Sequence, residues 1–290
     1  MTFTEADLPE ALHLVAEGDG VYVAPAREAG GRDVVNGVQL MAWSIAAVAL
    51  EGLGTHTVKT AHGVFSRPVG RAAPIDLALE RFYAGRAFGA DTVTITQAGK
   101  NAARVQLLTS APEDDLIRHA DEMPPVPGPD DCDPFTAAGA GAPGLELRVV
   151  GAVDYMSRDH PVHAPALQLW IRSSMPLANQ VANQAMLCAG TGTMLIGTAL
   201  LPHAGVGQEQ AHRTISTGAV GHTATFHEPF ELGDWLLLDQ ESIYAGHGRV
   251  HGRARVFRRD GQLVASYVQD AMIRRFTDGK DHTAQEHTIM

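Results

Sequence analysis

The sequence predicts an α+β protein of two tandem halves, each a long antiparallel sheet wrapped around one apolar helix. Three observations lead there. Phe65-x-x-Pro68, Leu77, Glu80 and Tyr83-Ala84-Gly85 recur as Phe226-x-x-Pro229, Leu238, Glu241 and Tyr244-Ala245-Gly246, always 161 positions apart. A single recurrence at that spacing is a duplicated domain, since solenoids and propellers repeat many times at shorter periods. Each copy also carries one helix-length segment that is apolar nearly all round, and a helix without a polar face is buried. Each such segment is followed by long strand-like stretches bounded by Gly-rich turns.

The elements follow in order. Asn36 is a candidate N-cap for a helix over residues 37–51, closed by Gly52. Strands are expected over 57–65, 75–83, 90–96 and 102–110, with a turn at Gln97-Ala98-Gly99-Lys100. In the second half, strands over 145–150 and 167–172 precede an apolar helix over about 178–200. The small residues Ala189-Gly190-Thr191-Gly192-Thr193 interrupt that helix, as a kink with satisfied hydroxyls or as part of a site. Strands over 218–226, 235–242, 249–258 and 263–274 follow, the last two joined by a hairpin turn at Asp260-Gly261. Residues 112–144, including Pro124-Pro125-Val126-Pro127-Gly128-Pro129, have linker composition. The resulting division is an N-terminal half over 1–111, a linker over 112–144, a C-terminal half over 145–276 and a frayed polar tail over 277–290.

Bulk composition narrows the function. A chain of 290 residues is long enough for two domains that each bury a core. Its 45% hydrophobic and 19% charged residues are ordinary globular usage. A formal net charge of -11 gives no global basic face, so nucleic acid is not an expected partner. The two cysteines, Cys132 and Cys188, form no motif and point to a reducing compartment, with one disulfide left open. Residues 1–14 contain Glu5, Asp7 and Glu10 and lack the basic start of a signal peptide. The apolar run 40–50 is too short to span a bilayer. The expectation is a soluble, cytoplasmic protein. Arg249, Arg253, Arg255, Arg258, Arg259, Arg274 and Arg275 place seven of 22 cationic residues within 27 positions. That patch reads either as a phosphate-attracting site or as the charged outer face of a sheet.

One helix swaddled by a long antiparallel sheet, in tandem, is the plan of a double hotdog. Phe226-His227-Glu228-Pro229-Phe230, Asp234-Trp235-Leu236-Leu237, Asp239-Gln240-Glu241-Ser242 and Asp260-Gly261-x-Leu263-Val264-Ala265-Ser266-x-x-Gln269 resemble the C-terminal half of the type II acyl-CoA thioesterase family. Leu169-Trp170-Ile171-Arg172, His62-x-x-Phe65-x-Arg67-Pro68 and Gly85-Arg86-Ala87-Phe88 are similar to further segments of it, so the resemblance covers about residues 10–276. It implies a double hotdog that hydrolyses acyl-CoA thioesters to a free acid and coenzyme A. The implied site is a water held by an Asp at the second long helix, a Thr or Ser on the next strand and a Gln on the last. A carboxylate can take a proton from water while hydroxyl and amide groups aim it at the thioester carbonyl.

Carried over by position, the Gln is Gln269. The hydroxyl position falls on Ala219, and Thr217 lies two residues earlier on the same strand face. The Asp position falls on Thr191, or on Gly192 or Thr193 with the gap placed differently, and no carboxylate occurs between Asp159 and Glu209. The family's Asp-His pair reads Gly221-His222, and its Gly-Gly-Gln at the first helix reads Asn36-Gly37-Val38-Gln39. The candidate catalytic residues are therefore Gln269, Thr191, Thr193 and Thr217. Candidates for holding the coenzyme A portion of the substrate are Asn36, Gly37, Arg258 and Arg259, and no separate cofactor or metal is expected. His222 and His227 read as packed or solvated imidazoles rather than catalytic bases.

Three functions are weighed. The first is acyl-CoA thioester hydrolysis with water positioned by Gln269 and nearby hydroxyls. The second is a non-hydrolytic acyl-CoA binding protein that has lost its base. The third is a hotdog enoyl-CoA hydratase using Asp159 and His163, whose spacing is one residue short of that motif. Bulky Trp43, Met194 and Tyr244 are candidates for lining the acyl tunnel. A homo-oligomer formed through sheet edges is the expected assembly.

Overall fold

A computed structural model describes residues 4, 8–27, 33–135, 144–192 and 194–276. The strands of the first half are β1 (Val15–Gly18), β2 (Val21–Ala24), β3 (Thr57–Phe65), β4 (Ile75–Ala84), β5 (Phe88–Gln97) and β6 (Lys100–Ser110). Those of the second are β7 (Asp133–Pro134), β8 (Leu145–Val149), β9 (Ala166–Ser173), β10 (Ile215–Phe226), β11 (Leu236–Gly246), β12 (Arg249–Arg258) and β13 (Leu263–Arg275). All join one antiparallel sheet in the order β1-β2-β4-β5-β6-β3-β10-β13-β12-β11-β9-β8-β7. The halves meet edge to edge where β3 pairs β10, from Val64 opposite Gly221 to Thr60 opposite Thr225.

The expected strands all form, each within a few residues of its expected ends. The strands not expected are β1, β2 and β7. They are short, β1 is exposed throughout, and two-sided exposure leaves no alternation to read. β7 lies inside the segment read as linker; the tail over 277–290 lies outside the described residues.

Under the sheet lies α1 (Gly37–Leu50), buried at every position from Val38 to Ala49 except Gln39. Asn36 caps it, its side chain accepting from Val38 N–H at 3.3 Å. The second apolar segment forms two helices rather than one, α2 (Gln180–Gly190) and α3 (Met194–Leu200). Asn179 Oδ1 caps α2 by accepting from Val181 and Ala182 N–H at 3.1 and 3.0 Å. α2 packs on α1, and a core continuous across both halves surrounds them. Leu77 and Leu238, equivalent in the repeat, are both fully buried in it. Each such side chain contributes roughly 1.5–3 kcal/mol of burial energy. Gln184 of α2 ties the halves further by donating to Val58 O at 2.7 Å.

The repeated Tyr-Ala-Gly has a geometric cause. β4 and β11 each carry a register shift immediately before the tyrosine, at Arg81/Tyr83 and Ser242/Tyr244. The bend lets Tyr83 and Tyr244 fold back over Gly85 and Gly246, where any Cβ would lie within 2.7 Å of the ring or its hydroxyl.

Candidate functional site

α2 ends because Thr191 turns its hydroxyl back to its own helix, donating to Cys188 O at 2.7 Å. The small residues that follow let α1 approach closely. A Cβ on Gly192 would collide with Val38 and sit 3.1 Å from Asn36 Oδ1. The capped start of α1, contributed by the first half, therefore abuts the α2–α3 break of the second. Asn36 and Val38 border this junction, and Gly37 packs against the Phe65 ring.

β10 and β13 supply the rest. Their register sets His222 opposite Gln269, both facing inward. His222 Nε2 lies 3.1 Å from Thr191 Oγ1, and His222 Nδ1 lies 3.1 Å from Gln269 Oε1. All three residues are about 1% exposed, and Gln269 Nε2 has no hydrogen-bond partner among the described residues. Tyr267 stacks on the imidazole with ring centroids 5.4 Å apart. Burial pushes His222 down to about 4 against the opposing pull of its bond to Gln269, and His62 lowers it further. At neutral pH the imidazole is uncharged. It can donate through Nδ1 to the amide oxygen and keep Nε2 as an acceptor toward the threonine hydroxyl. The chain Thr191–His222–Gln269 thus has the order hydroxyl, base, orienting group.

The structure brings two of the four expected catalytic residues together. Thr217 faces the same side of the sheet as Ala219 and His222 once the β10 register shift at Ala219/Gly221 is counted, but its hydroxyl lies 3.5 Å from His212 Nε2, apart from the chain. Thr193 lies outside the described residues. His222, read from the sequence as a packed imidazole, is the central member. Its position in the family's Asp-His pair was the one signal that could have singled it out. His227 is different, half-exposed and 3.0 Å from Ser266 Oγ through Nε2.

Arg258 and Arg259 sit at the β12–β13 hairpin, bonded to Asp260 and 3.7 Å from Asp130 respectively. Arg253 and Arg255 likewise pair with Glu241 and with Asp239 and Asp121 across the sheet. Of the arginine cluster, Arg253 and Arg255 form cross-strand pairs with Glu241 and Asp239, while Arg258 and Arg259 pair with the turn and with Asp130. Strand alternation turns Arg253 and Arg255 away from the core that His222 and Gln269 face, and Arg258 ends β12 at the hairpin, opposite Leu236. The pair weighed for hydration is also dispersed: the Asp159 side chain is 83% exposed beside Arg158, and His160, between it and His163, is committed to Pro161 O and Val206 O.

Grooves open at both helix starts. The larger, about 710 Å³, lies at the start of α2 and is lined by Gln180, Gln184, Lys59 and Phe226; it contains no member of the polar chain. A smaller one of about 320 Å³ opens beside the start of α1, lined by Val35, Gln39, Trp43 and Met175, with Arg27 and Arg71 on its wall. Neither groove is lined by Thr191, His222 or Gln269; Val35, the residue before Asn36, lines the smaller one. Among the tunnel candidates Trp43 lines it, Met194 is buried in the core and Tyr244 lies exposed over Gly246.

A helix wrapped by a long antiparallel sheet, twice in one chain with the sheets joined at one edge, is a double hotdog. The solved acyl-CoA thioesterase II from Mycobacterium marinum superimposes with a TM-score of 0.75 at 24% identity, covering 93% of this chain and 98% of that one. A hot dog protein of unknown function from Alicyclobacillus acidocaldarius gives 0.74 at 19% identity over 95% and 100%. At these identities the two show the fold.

Residues 120–273, more than half of the chain, match the family described as acyl-CoA thioesterase C-terminal domain. This chain belongs to the acyl-CoA thioesterase family. Human acyl-coenzyme A thioesterase 8 is 27% identical over 278 residues, covering 87% of this chain and 82% of its own. Acyl-CoA thioesterase 2 of Haemophilus influenzae is 26% identical over 287 residues, covering 92% and 97%.

Proposed function

We propose that this protein hydrolyses acyl-CoA thioesters to the free acid and coenzyme A at the junction of α1 with the α2–α3 break. The observation that carries this is the buried Thr191–His222–Gln269 chain, set where the two halves meet and beside a capped helix start. The family supplies the reaction; the buried chain supplies a hydroxyl, a neutral base and an amide that orients the base. Burial strengthens each of these interactions relative to water.

The groove beside α1 is the route for the substrate. Val35 leads it to Asn36, and Trp43 and Met175 give it an apolar wall suited to a pantetheine arm or acyl chain. Arg27 and Arg71 on its wall are cations in an acidic protein and take the place of the hairpin arginines as partners for coenzyme A phosphates. Release of free thiol from short, long and aromatic acyl-CoAs tests the reading. Turnover on at least one of them is expected; binding of every ester without thiol release would replace the hydrolase with a binding protein.

A further inference from the structure

We propose that Thr191 is a nucleophile, attacking the thioester carbonyl through Oγ1 to form an acyl-threonine ester that water then hydrolyses. This rests on the hydrolase reading above and adds to it a covalent route.

The geometry is that of an activated hydroxyl. Thr191 Oγ1 is 3.1 Å from His222 Nε2, and the other ring nitrogen is 3.1 Å from Gln269 Oε1. A nucleophile within hydrogen-bond reach of a base, the base oriented in turn by a third group, is the arrangement that covalent catalysis requires. The amide oxygen accepts from Nδ1–H and so fixes the tautomer that leaves Nε2 free to take the hydroxyl proton. The hydroxyl has two acceptors in reach, Cys188 O at 2.7 Å and Nε2, so rotation about one bond switches its proton from the helix to the imidazole.

No other group in the cluster is fitted to the role. Among the described residues, no carboxylate bonds to any of its three members. Cys188, one turn earlier, is fully buried with its thiol pushed up to about 12, so it carries no thiolate at neutral pH. The hydroxyl of Thr191 occupies the Nε2 face of His222 until it is acylated, so water meets that nitrogen only in the second half of the reaction. Gln269 lies on the far side of the imidazole from Oγ1 and acts on the base, not on the carbonyl.

The steps balance. Oγ1 bonds to the carbonyl carbon as its proton passes to His222 Nε2. Collapse of the tetrahedral adduct breaks the C–S bond, and the departing thiolate takes that proton and leaves as coenzyme A. A water oxygen then bonds to the same carbon, giving its proton to Nε2. The C–Oγ1 bond breaks, Thr191 recovers the proton, and the free acid departs.

A common acyl-enzyme makes product partitioning independent of the leaving thiol. The full-length protein is given octanoyl-CoA, octanoyl-pantetheine and octanoyl-N-acetylcysteamine with hydroxylamine present, and enzymatic hydroxamate and acid are measured. One hydroxamate-to-acid ratio is expected for all three donors. An octanoyl adduct on the Thr191 peptide is expected after acid quench. Thr191→Val should lose thiol release by about a thousandfold or more with its melting transition retained, and Thr191→Ser should stay within about tenfold of wild type. A ratio that follows the donor, or Thr191→Val keeping more than about a tenth of the rate, overturns the acyl-threonine while leaving the hydrolase standing. A wild type that releases thiol from no donor overturns the hydrolase reading itself.

Discussion

In the first half Ala61 faces Leu107 across β3 and β6, four rungs from the pair Phe65 and Ala103. In the second half, four rungs from Phe226 and Ala265, His222 faces Gln269 across β10 and β13. The helices repeat the contrast: counted twelve residues from the N-caps Asn36 and Asn179, the first half has Val48 and the second Thr191. Even the register shifts coincide, Val58/Thr60 in β3 with Ala219/Gly221 in β10. All six side chains are at most 2% exposed. Burial and backbone are therefore shared, and only the chemistry differs. Packing favours apolar groups or hydrogen-bonded polar ones at these positions, and duplication left one half free to take the first option while the other took a bonded polar chain that still has one amide donor to spare.

The largest effect separates the halves by activity. Gln269→Leu copies the first-half residue into the second and should lower thiol release by about two to four orders of magnitude, the loss expected when the group that fixes the tautomer of the base is removed. The reciprocal Leu107→Gln buries an unpaired amide and should lower stability by about 1–3 kcal/mol while leaving thiol release per folded molecule within about twofold. Equal loss of activity in both variants would break the assignment of chemistry to the second half.

The scaffold should respond symmetrically. Phe65 and Phe226, both under 10% exposed, occupy equivalent rungs. Replacing either with Ala should cost about 3–5 kcal/mol in denaturant unfolding, with the two values within about 1 kcal/mol of each other. A much larger gap would mean the halves share less packing than their ladders indicate.

The third contrast is in pH. His222 has a folded value of about 4 against 6.5 for the free side chain, because burial disfavours its charge. Between those values the unfolded chain binds the proton and the folded chain does not, so stability rises with pH. The contribution is complete above about 6.5, falls as pH drops, and amounts to about 3 kcal/mol lost by pH 4. Ala61 has nothing to titrate. His222→Leu should therefore flatten the stability profile between pH 4 and 6.5. For the active wild type, the acid limb of kcat should lie near 4 rather than 6.5. An acid limb at the free-imidazole value would show that His222 is solvated.

Much of the architecture was legible because its signals are local or periodic. The 161-residue repeat, the two apolar helices, Asn36 as a cap and Gln97–Lys100 as a turn all appear where alternation, capping and Gly chemistry place them. β1, β2 and β7 were not legible, being two to four residues long; β2 does alternate, with Tyr22 and Ala24 inward, but too briefly to read. The site was half legible. Gln269 and Thr191 are marked by their positions relative to the family motifs, whereas His222 looks like one of fourteen histidines until its strand register is known.

By itself, then, the sequence determined the duplication, the helix-in-sheet plan and the absence of a carboxylate from the stretch where the family keeps one, because these depend on residue type and spacing along the chain. Tertiary structure decided what stands in that place. Only the register of β10 on β13 sets His222 against Gln269, and only the termination of α2 at Thr191 brings a hydroxyl to the free ring nitrogen. Those groups lie 31 and 47 residues apart in sequence. No local propensity encodes their meeting. It follows from packing two halves so closely that Gly192 must lie against Asn36.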